Sequence, residues 1–99
     1  MKFYHVTPEK NLPFIRKGGL IPGADGVTYL WDSLEWAADF AAGAYPGESK
    51  VALVVEWARR KTRVDDRYAY DAAHGHAFAV TSVIPPTRIV KVFPVRHGP

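Results

Sequence analysis

Imidazole side chains are the first candidates for chemistry in this sequence, which contains four histidines and no cysteine. Without cysteine there is no disulfide, no thiolate nucleophile and no cysteine-based zinc site. His74 and His76 flank Gly75, but a pair of histidines with no third ligand at a set spacing is weak evidence for a metal ion. We therefore expect no metal, and we interpret His76 as either a loop residue or a phosphate contact.

Two familiar chemical motifs are missing from the sequence. Gly18 and Gly19, followed by Gly23 and Gly26, lack the strand-then-helix context of a Rossmann or P-loop fingerprint. No Ser-His-Asp arrangement stands out either. The remaining candidates are His5 in the opening segment and the hydroxyl and aromatic side chains that follow it.

Hydrophobic periodicity, glycine and proline predict the elements that must position these side chains. The predicted strands cover residues 2–6, 27–31, 51–57, 77–82 and 88–95. A first helix starts at Thr7-Pro8 or at Asn11 and ends at the Gly18-Gly19 pair. The apolar face of this helix is formed by Leu12, Phe14 and Ile15.

The second helix and the last connection are marked by capping residues and proline. Asp32 or Ser33 caps a helix over residues 34–42, which has a narrow apolar stripe. Pro85-Pro86 predicts a rigid extended connector in which no helix forms. The order β-α-β-α followed by strands is typical of an α+β domain.

Length and composition predict a single domain over residues 1–99. Ninety-nine residues leave no room for a second core, and 47% hydrophobic residues are enough to fill one interior. We expect no secretory leader in the opening residues, and no apolar run in the sequence is long enough to cross a bilayer. We expect a cytoplasmic protein that has no membrane partner. The oligomeric state is not predicted.

The net charge of +3 favours the approach of an anionic ligand. The densest basic cluster lies in residues 58–76, a segment whose secondary structure is hard to interpret. Its charged residues are Arg59, Arg60, Lys61, Arg63, Asp65, Asp66 and Arg67. Two interpretations stay open for this cluster, a charge-balanced solvated loop or a contact with phosphate.

Three segments, taken in chain order, match a pattern found in a known superfamily. They are Tyr4-His5-Val6-Thr7, Gly26-Val27-Thr28-Tyr29-Leu30 and Val83-Ile84-Pro85-Pro86-Thr87-Arg88-Ile89. Together they resemble ADP-ribosyltransferases of the branch with an N-terminal histidine. The second segment, with the helix after it, is similar to the poly-ADP-ribose polymerase core. The first and last are similar to tRNA 2′-phosphotransferases and DNA-modifying toxins, which suggests a toxin or phage protein.

The resemblance implies an ADP-ribosyltransferase-like fold with two N-terminal helices and split antiparallel sheets that grip NAD between them. In such a cleft His5 would bond the adenosine ribose hydroxyls, and Tyr29 would wall the nicotinamide. Phe40, eleven positions after Tyr29, would stand where the family places a second stacking tyrosine. Thr7 would add a hydroxyl near the ribose or phosphate, and Arg16 would reach the phosphates.

The sequence departs from the family at the late strand, where many members carry a catalytic glutamate. Residues 76–82 contain no carboxylate, and the nearest acids are Asp71 and Glu56. The phosphotransferase branch works without that glutamate, using arginines and a hydroxyl. Ser82 is the candidate for this hydroxyl role, and His5 and Tyr29 complete the predicted catalytic set.

Each candidate also has a purely structural interpretation. His5 suits a core or surface position, Tyr29 and Phe40 suit core packing, and Arg16 suits an exposed helix surface. The three tryptophans are either packed in the core or, for Trp36, exposed as a platform on which bases stack. These alternatives remain open from the sequence alone.

Three alternative hypotheses for the function therefore follow from the sequence. The first is an NAD-using transferase that moves ADP-ribose to a nucleic acid, a protein or a small molecule. The second is a catalytically degenerate module that binds a nucleotide or a partner protein and acts as a regulator or inhibitor. The third is a basic nucleic-acid-binding domain that uses the cluster from Arg59 to Arg67 and the tryptophans.

Overall fold

The structure, a computed structural model, describes residues 1–64 and 77–95. In chain order its strands and α-helices are β1 (Lys2–Pro8), α1 (Leu12–Gly18), β2 (Thr28–Trp31), α2 (Leu34–Ala44), β3 (Lys50–Glu56), β4 (Arg63–Val64), β5 (Ala77–Val80) and β6 (Ile89–Val95). Short 3-10 turns cover Glu9–Asn11, Arg59–Lys61 and Pro86–Arg88. The predicted features at Asp65, Asp66, Arg67, Asp71, His74 and His76 lie outside the described residues.

All the described strands belong to one open antiparallel sheet in the order β4-β5-β2-β1-β3-β6. β1 pairs with β3 along its whole length, yet it pairs with β2 only at Tyr4 and Trp31. Two three-stranded halves, β1-β3-β6 and β2-β5-β4, are therefore joined at one position. The small α+β class is confirmed. The two sheets that were expected to be separate form one sheet, and we call the single register pair between its halves the joint.

Each face of the sheet carries a helix and its own apolar cluster. On one face Ile15 of α1 packs with Phe3, Leu53 and Phe78. On the other face Ala37 and Ala41 of α2 pack with Val6, Trp31 and Ala52. Because both faces are covered, the side chains of β3 from Lys50 to Val55 are all buried.

The start of the first helix differs from its prediction. Thr7 pairs with Val51 and lies inside β1, so it caps no helix. The helix begins at Leu12, after a 3-10 turn, and Asn11 stands at the cap position without a side-chain capping bond. At the other end the prediction is confirmed, since Gly19 adopts a φ of 83° and donates its N–H to the carbonyl of Ile15.

Two other predictions are settled by hydrogen bonding and proline geometry. The hydroxyl of Ser33, rather than Asp32, caps α2 by accepting the N–H of Trp36 at 3.3 Å. The expectation of no helix at Pro85-Pro86 is wrong, because a 3-10 turn begins at Pro86. Pro85 stays extended, as the residue before a proline does, and Pro86 occupies a first-turn position where its missing N–H costs nothing.

Among the described residues, no helix has the length and apolar character needed to span a bilayer.

Candidate functional site

A cleft of about 720 Å³ opens where β1 and β2 part. Beyond the pair Tyr4–Trp31 the two strands share no further register pair, so a gap remains between the two halves of the sheet. Residues from both strands, from α1, from α2 and from the loop before β2 line the cleft. The cleft therefore lies at the joint between the two halves of the sheet.

His5 lies on β1 beside this gap and is half-buried. Its Nδ1 is 2.7 Å from the backbone carbonyl oxygen of Tyr29 on β2. A carbonyl only accepts, so Nδ1 must carry the hydrogen and donate it. In the neutral ring Nε2 is then an acceptor.

The protonation state of His5 follows from its surroundings. Desolvation lowers the pKa of His5 below its ordinary value of 6.5, and the bond to the Tyr29 carbonyl offsets only part of that effect. The imidazole is therefore neutral at pH 7. A neutral ring held through Nδ1 presents one acceptor, Nε2, which suits a ligand hydroxyl.

Tyr29 reaches the cleft from the other strand and from the other face of the sheet. Alternation along β1 puts His5 on the face of Phe3, whereas alternation along β2 puts Tyr29 on the face of Trp31. The gap between the strands connects the two faces, so both rings line one cleft. The Tyr29 hydroxyl donates to Oδ2 of Asp25 at 2.9 Å.

Phe40 of α2 supports the aromatic wall of the cleft. Its ring centroid lies 6.4 Å from that of Tyr29 and 5.5 Å from that of Trp31, with tilted planes in both cases. Phe40 also packs against the apolar cluster that contains Trp31. The core interpretation and the ligand-contact interpretation of Phe40 are therefore compatible.

Thr7 lies two residues after His5 on the same face of β1 and also lines the cleft. It is buried, and its hydroxyl accepts a hydrogen bond from Nδ2 of Asn11 at 3.2 Å. Asn11 therefore orients the Thr7 hydroxyl, and both side chains lie at the end of the cleft next to α1.

The other two predicted site residues are placed elsewhere. Arg16 lines a separate cavity of about 350 Å³ between α1 and β6, together with Lys91. Ser82 is exposed in the turn after β5 and does not line the cleft. The structure thus brings together His5, Thr7, Tyr29 and Phe40 without Arg16 or Ser82.

Sequence reasoning missed the acid that lies in the cleft. Asp25 lines it, and its Oδ1 accepts the backbone N–H of Val27 at 3.3 Å while Oδ2 accepts the Tyr29 hydroxyl. The sequence contains a usable signal, because an aspartate in a glycine-rich turn commonly bonds the N–H two residues later. That turn immediately precedes the strand that carries Tyr29.

The prediction for Phe14, which rests on helical periodicity, is also wrong. Predicted to face the core, it is 76% exposed at the rim of the cleft. Ile21 and Tyr45, two other exposed hydrophobic residues, line the same cleft. Large apolar side chains collected around a concave site are typical of a ligand-binding surface.

The late strand supplies no carboxylate in the described residues. β5 consists of Ala77, Phe78, Ala79 and Val80, all of which are buried. Glu56, at the end of β3, does not line the cleft. Among the described residues that line the cleft, Asp25 is thus the one with a carboxylate.

The described part of the basic cluster lies against aromatic rings of the core. The Arg59 guanidinium lies 4.7 Å from the ring centre of Phe78, and the Lys61 ammonium lies 5.2 Å from that of Trp57. Trp31 and Trp57 are buried and Trp36 is half-buried against the core. Within the part of the chain that is described, the buried indoles are thus not available for stacking on bases.

Comparison with other proteins adds no assignment. No protein-family model matches the chain, and no curated protein matches its sequence. Within residues 1–64 and 77–95, no group of three or more His, Asp or Glu side chains is placed to hold a metal ion.

Proposed function

We propose that this protein binds NAD or a related nucleotide in the cleft and transfers ADP-ribose from it to an acceptor. The observation that carries the proposal is that His5 and Tyr29, from adjacent strands, line one cleft and are joined by a hydrogen bond. The cleft volume of about 720 Å³ falls among those of small-molecule sites, which span about 300–1,000 Å³.

His5 suits the recognition of a ribose. Because its Nδ1 is committed to the Tyr29 carbonyl, its Nε2 accepts a hydrogen bond from a ribose hydroxyl. The bond to Tyr29 also fixes the ring plane, so little side-chain entropy is lost when a ligand binds. The buried Thr7 hydroxyl lies farther along the same face and offers a second polar contact.

The transfer requires orientation and charge stabilisation rather than a strong nucleophile. The bond between ribose C1′ and the nicotinamide nitrogen breaks, and its electron pair leaves with neutral nicotinamide. Positive charge builds at C1′, the acceptor attacks that carbon, and the acceptor's proton passes to water. Tyr29, backed by Phe40, would hold the ring that leaves, and His5 would bind the adenosine ribose and so orient the dinucleotide.

A second function is favoured by one specific observation. β5, where the family's catalytic glutamate would stand, is entirely apolar and buried. A cleft without that glutamate suits a module that binds a nucleotide and does not turn it over. This candidate shares the site of the first and differs from it only in chemistry.

The test is to titrate the full chain with NAD by calorimetry and to follow nicotinamide release over a long incubation. Wild-type protein is expected to bind NAD, and His5→Ala is expected to lose about tenfold in affinity, since it removes the acceptor and frees the Tyr29 carbonyl. His5→Gln keeps a donor for that carbonyl and guards against a purely structural loss. Lys2→Ala, an exposed change on the same strand, is the matched control.

Each outcome separates the candidates. Binding with nicotinamide release supports the transferase, whereas binding without release supports the degenerate module. If wild-type protein shows neither NAD binding nor release, both proposals for this cleft are wrong.

A further inference from the structure

The charge of the cleft differs from the charge of the chain as a whole. The chain is basic, with a net charge of +3. Among the described residues that line the cleft, however, there is no lysine or arginine, and Asp25 is the acid. The pKa of His5 is lowered, so this imidazole adds no positive charge at pH 7.

Asp25 is held in place by its own loop. The N–H of Gly23 donates to the carbonyl of Val27 at 3.2 Å, and the N–H of Gly26 donates to that of Gly23 at 2.9 Å. Gly26 has a φ of 81°, a left-handed conformation that favours glycine. This turn brings the Asp25 carboxylate back to the Tyr29 hydroxyl and to the Val27 N–H.

The carboxylate is therefore fixed beside an aromatic wall. Tyr29, Phe40, Trp31 and Tyr45 all line the cleft, and the first three rings are neighbours. The face of an aromatic ring attracts cations through its quadrupole. The Asp25 carboxylate, bonded to the hydroxyl at the edge of Tyr29, adds a full negative charge to the same cleft.

Among the described residues, no cationic side chain lines this part of the cleft to attract a phosphate group. Arg16 and Lys91, which would attract phosphate, line the separate cavity between α1 and β6. The one charge that the described lining places in the cleft repels an anion. The contacts that remain are suited to a flat, positively charged ring attached to a hydroxylated sugar.

We infer that Asp25 makes the cleft selective for an N-glycosylated pyridinium cation, the oxidised end of a nicotinamide nucleotide, over its neutral reduced form. This inference rests on the proposed function, since it assumes that the nicotinamide end occupies the cleft. Asp25 is then a specificity-determining residue, and Tyr29 positions it through the hydroxyl bond.

Asp25 has a different role from that of the family's glutamate. When the pyridinium leaves as neutral nicotinamide, the single positive charge passes to the ribose carbon and is not created anew. A nearby carboxylate therefore stabilises the bound substrate and the transition state alike. Such uniform binding lowers KM and leaves kcat nearly unchanged.

The experiment compares the affinities of oxidised and reduced NAD for wild-type protein, Asp25→Asn and Asp39→Asn. The amide of Asp25→Asn retains the shape and a hydrogen bond to Tyr29 but carries no charge. Asp39 is an exposed aspartate on α2 outside the cleft, so its variant is the matched control. Wild-type protein and Asp39→Asn are expected to prefer the oxidised form by roughly fivefold or more, as for one exposed charge pair.

Asp25→Asn is expected to bring that preference close to one by weakening only the oxidised form. Tyr29→Phe, which retains the ring and removes the hydroxyl, is expected to give an intermediate preference. A pair of small probes without phosphate, the cation N-methylnicotinamide and neutral nicotinamide, should repeat the result. The preference should also shrink as salt is added, because the charges are exposed.

Failure of the inference and failure of the proposed function are distinguishable. Equal affinity of wild-type protein for both forms, or an unchanged preference in Asp25→Asn, overturns the inference and leaves NAD binding intact. Binding of neither form overturns the proposed function. If nicotinamide is released, a fall in kcat rather than a rise in KM in Asp25→Asn overturns the uniform-binding role.

Discussion

The two halves of the sheet are built differently although they belong to one continuous sheet. In the longer half, β1 pairs with β3 from Lys2–Glu56 to Pro8–Lys50, and β3 pairs with β6 along its length. In the shorter half, β2 pairs with β5 only from Thr28–Val80 to Trp31–Ala77, and β4 adds two residues. The longer half holds His5, and the shorter half holds Tyr29.

This difference shows where the sheet leaves room for a cleft. Backbone pairing stabilises each half, while the joint between them has one register pair and the bond from His5 to Tyr29. A region with few backbone bonds opens at lower free energy than the rest. The cleft therefore occupies the section of the sheet that contributes least to its hydrogen bonding.

The largest effect is expected from breaking the contact that ties α1 to the connection between β5 and β6. Gly19→Ala would place a Cβ against the carbonyl oxygen of Ile84, at a φ of 83° that disfavours any side chain. It would also disturb the two hydrogen bonds between Leu20 and Ile84. We expect a loss of about 2 kcal/mol or more in the free energy of unfolding, measured by urea denaturation.

Gly18→Ala is the matched control for that variant. Its Cβ would meet only the side chain of Ile21 at an ordinary distance of 3.7 Å. Because alanine has the higher helix propensity, this variant should be as stable as wild type or slightly more so. A similar loss of stability in both variants would contradict the role of Gly19.

A smaller effect is expected in the local stability of the two halves. Amide protons in the pairing of β1 with β3 should exchange with solvent more slowly than those in the pairing of β2 with β5, by about tenfold or more. Hydrogen exchange followed by NMR measures this directly. Faster exchange in β3 than in β5 would reverse the comparison between the halves.

The smallest effect is expected from the pH dependence of the joint. Because the folded-state pKa of His5 is lowered, the unfolded chain takes up a proton first as the pH falls. Stability should therefore be unaffected above about pH 7 and decrease as the pH falls through 6.5 towards the folded-state pKa. Thermal unfolding across this range should show a shallower decrease for His5→Gln than for wild type.

The two proteins differ only at position 5, so the difference between the two curves isolates His5. Identical curves would mean that the imidazole of His5 is not desolvated in the folded protein.

Local features of the chain were predictable because their causes lie within a few residues. The apolar run of β3 contains β-branched residues and no residue that interrupts a strand. The Gly18-Gly19 pair ends α1 because glycine readily adopts the positive φ found at Gly19. The cap at Ser33 is also local, since its hydroxyl reaches the Trp36 N–H one turn later. These predictions needed no knowledge of the rest of the fold.

Other predictions were wrong because residues far apart in the chain determine these features. Thr7 was predicted as a helix cap, but its pairing with Val51 on β3 extends β1 through it. Phe14 was predicted to be buried, but the cleft beside α1 leaves it exposed. Arg16 was grouped with the cleft, although it lines the cavity between α1 and β6.

The sequence by itself determined that this is a small α+β domain, with an imidazole on the opening strand and a phenol on the next, since periodicity and breakers act over short distances. Only the tertiary structure decided that β1 and β2 meet at a single pair, that Asp25 turns back onto Tyr29, and that Arg16 lies elsewhere. Strand pairing depends on residues far apart in the chain, and their packing, rather than any local pattern, selects the register and the gap.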